Sequence, residues 1–526
     1  VDAAHKHYAR AAVVGVFAGL VGVLFQWALT AAERGRVALL DWLHARPHAA
    51  LWGWAVLPAV GLLAASAAGL LVTRLAPDAA GSGIPHIKGV LVHIRRLRWA
   101  RVIPVKFVGG VLCVGAGMSM GREGPTVQMG AGVGRAIGDA LKVPRATLPQ
   151  LVSSGAGAGV ASAFNAPLAG FLFVLEELHR EFSALTFGGA LIAAVAADVV
   201  ARSFNGSLPS FAIKGSPALP LELLPLAALL GLAGGALGVA FNAALLWSGE
   251  RAASLRRVPR WLQPGLGAAL CGLVAWWLPQ AVGGGHLVAH DLLSGALGFS
   301  TLMLGVLLAA KFALTVLSYA TGAPGGIFAP MLLIGAVLGA IAADLATLGH
   351  PAWNGRLGVL AILGMAAMFV GSVRAPLTGI VLITEMTAGY EHLLPLCLTA
   401  IAAHLAAEQL RGQPLYEALL EQDIRRRGLN PDGPADPAGA AHLDHHRGLD
   451  PRSVVMGVQR QSALDGKAIR DAGLPAGCLV VAIERAGREL LPTADRVLAP
   501  GDHITVLVPA EEPEKALRVV ELARAG

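Results

Sequence analysis

The segment MGREGPTVQMG (Met120 to Gly130) sets an arginine and a glutamate side by side in an apolar run. From Phe107 to Gly134 the only charged residues are Arg122 and Glu123. A charge held in hydrocarbon costs on the order of 2.5 to 3.5 kcal/mol, so a chain that keeps such a pair has a use for it. Related glycine-proline clusters occur at GSGIP (Gly81 to Pro85) and GGIFAP (Gly325 to Pro330). Proline fits the first turn of a helix, where its missing N–H would be unpaired anyway, and the preceding glycines let the backbone turn and approach a ligand. Each cluster therefore predicts a helix start. N–H groups at such a start, away from water, need a partner, and the positive end of the helix dipole prefers an anion. A single cluster is explained as well by a proline kink or close glycine packing. Three together predict an anion site made without a full positive charge.

The elements that must carry these clusters are membrane helices. Of 526 residues, 55% are hydrophobic and only 14% charged, with 66 glycines, whereas a soluble protein would carry about 25% charge. Apolar stretches of spanning or near-spanning length run over Ala11–Leu29, Leu51–Leu75, Phe107–Met120, Leu185–Val200, Leu221–Trp247, Leu262–Leu278, Thr301–Leu317, Gly326–Leu345, Leu357–Val373 and Leu393–Ala407. The N-terminal run lacks a cleavage signature and is expected to stay as a helix. Basic clusters at Arg95, Arg96, Arg98 and Arg101, and at Arg251, Arg256, Arg257 and Arg260, are expected in short cytoplasmic loops. They account for the net charge of +7. The arginines are not interleaved with aromatics on one face, so no nucleic-acid partner is expected. Cys113, Cys271, Cys397 and Cys478 lie far apart without CxxC spacing, which predicts neither disulfides nor a metal site. No cofactor is expected.

The membrane part contains a repeat. NAPLAGFLFVLEE (Asn165 to Glu177) matches RAPLTGIVLITEM (Arg374 to Met386) at an offset of 209, and PTVQMGAGVG (Pro125 to Gly134) matches PMLLIGAVLG (Pro330 to Gly339) at an offset of 205. Such repeats in transporters commonly have inverted topology with the substrate site at their interface. The fold class read from this is an all-α polytopic membrane protein of two inverted repeats with broken, tilted helices, followed by a small C-terminal α/β domain.

GSGIP, GREGP and GGIFAP in this order, FNAPLAG with its glutamate pair, and QPLY (Gln413 to Tyr416) together resemble the CLC family of chloride channels and chloride/proton antiporters over roughly Ala11 to Glu421. The resemblance implies a homodimer in the cell (inner) membrane with an anion pathway in each subunit, both termini cytoplasmic, and chloride and protons as the ions moved. It implies that the hydroxyls of Ser82 and Tyr416 hold the central anion, with backbone N–H groups of Ile327 and Phe328, and those of Gly81 and Ser82 facing the inner side; Arg122, at the outer mouth, and Gly124 complete the chloride-binding set. Serine rather than proline at position 82 implies chloride over nitrate. Glu123 matches the external gating glutamate: an ionised carboxylate can occupy an anion site and block it, and a protonated one swings away. Glu177 matches the internal proton-transfer glutamate of the antiporters, which favours exchange over a passive channel. As the plainer alternative, Glu176 and Glu177 end a helix beside Arg180, and Glu176, with Glu385 as its counterpart, is structural.

The composition changes after Tyr416. Residues 425–450, rich in Pro, Gly and charge, read as a solvated linker, including His442, Asp444, His445 and His446. The membrane domain is thus expected over 1–424, with repeats of about 1–215 and 216–424, and a tail domain over 451–526. In the tail, a GxxI helix, an I-E-R strand and a PGD turn before the last strand resemble a TrkA-C (RCK_C) domain. Such domains pair with each other, and the resemblance leaves a small-molecule or nucleotide ligand open. Two rivals remain weaker. A membrane enzyme would need a Ser/His or paired-Asp constellation, and none is evident; a sodium-coupled carrier would share the broken helices.

Overall fold

The computed structural model describes residues 2–426 except 47, 49, 50, 93, 145–146, 180–183, 212–218, 256, 295–297 and 350–356, and residues 452–523 except 459–461, 486–487 and 509–512. The linker histidines, Arg180 and Arg256 lie outside the described residues. Two compact units result, Val1–Gly428 and Leu429–Gly526.

The first unit is built of helices in two matching series. The first runs α1 (Asp2–His44), α2 (Val56–Leu75), α3 (Ile84–Leu91), α4 (Trp99–Gly115), α5 (Glu123–Ala140), α6 (Leu148–Phe164), α7 (Pro167–Phe173) and α8 (Ala184–Asn205). The second runs α9 (Leu224–Ser254), α10 (Gln263–Trp277), α11 (His286–Leu293), α12 (Thr301–Ala320), α13 (Phe328–Gly349), α14 (Leu357–Val373), α15 (Pro376–Thr387) and α16 (Leu393–Gln409), and α17 (Leu415–Arg426) closes the unit. Each of the ten apolar stretches lies on a helix. Six helices among the described residues are long and apolar enough to cross a bilayer. The faces follow the membrane as solvent. On α2 the buried positions include Gly61, Ala65, Ser66, Ala68 and Gly69, while Val60, Leu63, Leu70 and Leu75 point outward. With lipid outside, large apolar side chains gain nothing by hiding, and small ones let backbones approach.

Such approach is closest where α5 crosses α6 and α13 crosses α14. A Cβ on Gly130 would fall against the Gly155 carbonyl, and one on Gly335 against that of Gly364. The two crossings are repeat equivalents. The halves also interlock by reciprocal bonds. Gly121 and Gly326, 205 positions apart, exchange both N–H···O bonds at 2.7 Å. Gly81 N–H donates to Gly322 O at 3.4 Å, and its counterpart Gly283 N–H donates to Gly117 O at 2.9 Å. Glu176 accepts from the N–H groups of Leu377 and Thr378 at the start of α15, at 3.1 and 2.6 Å; Glu385 accepts from Leu168 and Ala169 at the start of α7, at 3.2 and 2.8 Å. Each glutamate caps the other half's helix, which is the structural role expected of the pair.

The tail is an antiparallel sheet of β1 (Arg452–Gly457), β2 (Leu479–Arg485), β3 (Arg488–Leu490) and β4 (His503–Val508) in the order β1-β4-β2-β3, with α18 (Pro513–Ala523) contributing Val519 and Ala523 to its core. The expected GxxI helix is only a 3₁₀ turn, Ile469–Asp471, held by backbone bonds from Ile469 and Arg470 to the 494–496 loop. The PGD turn is fixed by Asp502, whose buried carboxylate takes Arg485 Nε and Nη2 at 2.6 and 2.7 Å and the Ala499 N–H at 2.9 Å. The Arg485 guanidinium, against some cost of burial, holds the Asp502 carboxyl below its ordinary range. A depressed folded value means that this stabilisation is full above the unfolded value of about 4 and fades as pH falls through the folded one. Amide-exchange protection of β4, corrected for intrinsic rates, is therefore expected to drop below about pH 4, and Asp502→Asn to lower it at neutral pH and flatten the acid response.

Candidate anion and proton site

The three predicted helix starts are present and converge. GSGIP opens α3 with Gly83 as a left-handed cap at φ 91°, GREGP opens α5 at Glu123, and GGIFAP opens α13 at Phe328. A fourth start was not read from the sequence: GGGH (Gly283 to His286) opens α11 with Gly285 at φ 84°. It lacks the proline used to find the others, but aligning Gly81 and Gly83 with Gly283 and Gly285, all at positive φ, would have found it.

Ser82 is buried, and its Oγ accepts from Ile84 N–H at 3.2 Å, leaving its own proton to donate. Gly124 packs so close that a Cβ there would lie 2.6 Å from Ser82 O. Tyr416 is wholly buried on α17, and its hydroxyl meets no partner among the described residues. A buried donor of this kind calls for an acceptor. Its ring stacks on Phe328, centroids 6.0 Å apart and planes at 20°, and the QPLY loop is held by Asn242 Nδ2 on Gln413 O at 3.1 Å. Ile327 is fully buried beside Phe328. A cavity of about 150 Å³ leads to Gly81 and Ser82 past Asp78, Arg95, Asp423 and Arg426. Arg95, expected in an exposed basic loop, is instead buried in ion pairs with Asp78 at 2.5 Å and with Asp423.

Glu123 is fully buried. Its Oε2 accepts the N–H of Ala329, in the first turn of α13, at 3.4 Å, and its Oε1 lies 3.2 Å from His286 Nε2. The carboxylate thus sits at another helix's N-terminus. Arg122 diverges from it, donating Nη2 to Ala163 O at 2.8 Å, and so ties down the end of α6. Behind the loops stand two buried lysines at repeat-equivalent places: Lys106 donates to the carbonyls of Ala79 at 3.0 Å and Gly81 at 2.5 Å, and Lys311 to that of Gly283 at 2.6 Å.

Glu177 follows α7 in a π-helical turn, Val174–His179, a geometry often found at functional positions. The turn sends Glu176 to α15 and Glu177 to Lys88, whose Nζ lies 2.7 Å from Glu177 Oε1. Lys88 also lies 3.8 Å from Glu417, a third exposed, which links the buried pair to the surface. Sequence reasoning missed Lys88, although its place four residues past Ile84 on a short helix set it near this face. Among the described residues no two cysteines form a disulfide, and no cluster of metal-binding side chains occurs.

A membrane unit of two interlocked repeats, in which the starts of α5, α11 and α13 meet at one buried carboxylate, is the architecture of a transporter. The Voltage gated chloride channel family matches residues 60–408, and the TrkA-C domain matches residues 458–520. The chain is 38% identical over 436 residues to the H(+)/Cl(-) exchange transporter ClcA of Salmonella agona (strain SL483), covering 81% of this chain and 91% of that one. It is 40% identical over 423 residues to ClcA of Vibrio cholerae serotype O1 (strain M66-2), covering 79% and 89%. The solved structure of a slow cyanobacterial Cl-/H+ antiporter superposes with a TM-score of 0.75 at 34% identity, covering 80% of this chain and 99% of that one. The chain belongs to the voltage-gated chloride channel (CLC) family.

Proposed function

We propose that the protein exchanges chloride for protons across the membrane, with Glu123 as external gate and proton carrier and Glu177 as internal proton donor. The observation that carries this is the Glu123 carboxylate at the start of α13, accepting the Ala329 N–H where a free anion would accept it. Ionised, it competes with chloride; neutral, it loses that competition and leaves with its proton. Ser82 and Tyr416 supply hydroxyl donors for the central anion, together with backbone N–H groups of Ile327 and Phe328; the Gly81 N–H is already given to Gly322 O at 3.4 Å. Lys88 and Glu417 connect Glu177 to water. The relatives named as exchangers support this over a passive channel. The membrane domain spans about 1–424, the linker 425–450 and the tail 451–526. The protein works as a homodimer in the inner membrane with both termini cytoplasmic, and the tail is the place for a small-molecule or nucleotide regulator. The reversal potential of purified protein in liposomes under crossed chloride and proton gradients tests the exchange. A potential that follows chloride alone refutes it.

The anion preference has its own test. Ser82→Pro removes one hydroxyl donor to a charged ligand, an interaction of about 1.5–3 kcal/mol, so chloride binding is expected to weaken by roughly tenfold or more and preference to shift toward nitrate. Unchanged relative permeabilities remove Ser82 from the site.

A further inference from the structure

The exchange reading requires that a buried Glu123 gain and lose protons on its own side of the membrane, and Glu123 itself is fully buried. Among the described residues one titratable side chain is bonded to it. His286 Nε2 lies 3.2 Å from Glu123 Oε1, and the imidazole-bearing side chain is 26% exposed while that of Glu123 is 1% exposed. The ring is also held in place: it stacks on Phe211, centroids 5.8 Å apart and planes at 19°, and Phe211 N–H is bonded to Met386 O at 2.8 Å. The fold does not ask for imidazole here. The repeat-equivalent first residue of α3 is Ile84, wholly buried and apolar, and it opens an eight-residue helix as well as His286 does.

We propose that His286 is the proton relay between Glu123 and the water outside, a role that rests on the exchange reading above. Protonated His286 gives its Nε2 proton to ionised Glu123 Oε1; the N–H bond breaks, the carboxyl O–H forms, and the neutral ring regains a proton from water. The reverse sequence empties Glu123. Histidine suits this because its two ring nitrogens let it take a proton on one side and give one on the other. The charged groups facing the pair are Arg122 on the loop before α5, Glu33 and Arg36 of α1 beside Gly283, and Lys311 of α12 on the Gly283 carbonyl. On α11 itself His290 and Asp291 are exposed and pair with each other at 3.5 Å. α14 carries no titratable residue, and on α13 the only one, Asp344, takes the Thr301 hydroxyl at 2.9 Å.

The test compares His286→Phe, which keeps the stacking, with His286→Gln, which keeps a hydrogen bond to Glu123 but moves no proton. Chloride efflux and proton uptake are measured together in liposomes at external pH values from 5 to 8. Both variants are expected to turn over about tenfold more slowly than the wild type at neutral pH, at an unchanged chloride-to-proton ratio, and with a weaker dependence of rate on external pH. Folding is checked by the elution profile and denaturation midpoint of each detergent-solubilised variant, which should match those of the wild type. Wild-type rates in both variants, or recovery in His286→Gln but not His286→Phe, overturn the relay, the second outcome leaving only a positioning role. A wild type that moves chloride without protons instead refutes the exchange reading itself.

Discussion

Glu123→Gln is expected to abolish proton transport while chloride transport persists. The amide is close in shape to the protonated acid but cannot ionise, so it neither competes with chloride at the start of α13 nor carries a proton. Ala329 N–H and His286 Nε2, the two groups now held by the carboxylate at 3.4 and 3.2 Å, are then free to face an anion. Proton uptake coupled to chloride efflux should fall by more than about tenfold, corresponding to at least 1.4 kcal/mol lost from the coupled step, and chloride efflux should lose its pH dependence. Simultaneous chloride-electrode and pH-electrode recordings on liposomes read both quantities. Proton uptake at the wild-type level would show that the proton travels without Glu123.

The second large effect is expected at the other carboxylate and is double. Glu177→Gln removes the inner proton donor, so proton movement should stop while chloride still passes the intact gate. It also takes from Lys88 its nearest partner, Glu177 Oε1 at 2.7 Å with both side chains at most 9% exposed, and leaves only the longer pair with Glu417 at 3.8 Å. Removing one member of a buried pair costs about 3–5 kcal/mol, because the remaining charge keeps its desolvation penalty without its partner. Lys88→Met combined with Glu177→Gln leaves no stranded charge. It should recover most of the denaturation midpoint of the detergent-solubilised protein but none of the proton transport. Recovery of both would make the pair structural and place the inner proton donor elsewhere, with Glu417 the nearest candidate.

What could be read from the sequence followed the strength of local signals. Long apolar runs gave their helices because a bilayer demands about twenty apolar residues in a row, and glycine-proline clusters gave three helix starts because proline and glycine punctuate the backbone directly. α6 was not read among the spanning stretches, since LVSSGAGAGVASAF is short and made of glycine, alanine and serine; its small residues are an adaptation to α5, a contact visible only in three dimensions. Offset matching revealed the repeats but exposed none of the chemistry that differs between them. At the position equivalent to Glu123 the second half has Phe328, and at that equivalent to Ile84 it has His286. The backbone is nearly symmetric and the side chains are not, which is why matching motifs pointed to Glu123 and passed over its partner. Lys88 and Arg95 escaped for another reason: each is buried by ion pairs to residues far along the chain, and no window of sequence contains both members.

The exchanged glutamate caps bear on how the protein is made. Glu176 and Glu385 bind helix starts 201 to 217 residues away, so when only the first half has left the ribosome, the α7 start lacks its carboxylate and Glu176 lacks its N–H partners. Those unmet groups cannot be left in hydrocarbon, and water or a chaperoning insertase must hold them until α15 arrives. Assembly of the anion site is therefore a late event that waits on nearly complete translation. Two separately expressed halves carry complementary unmet groups, which gives each fragment a specific reason to find the other in the bilayer.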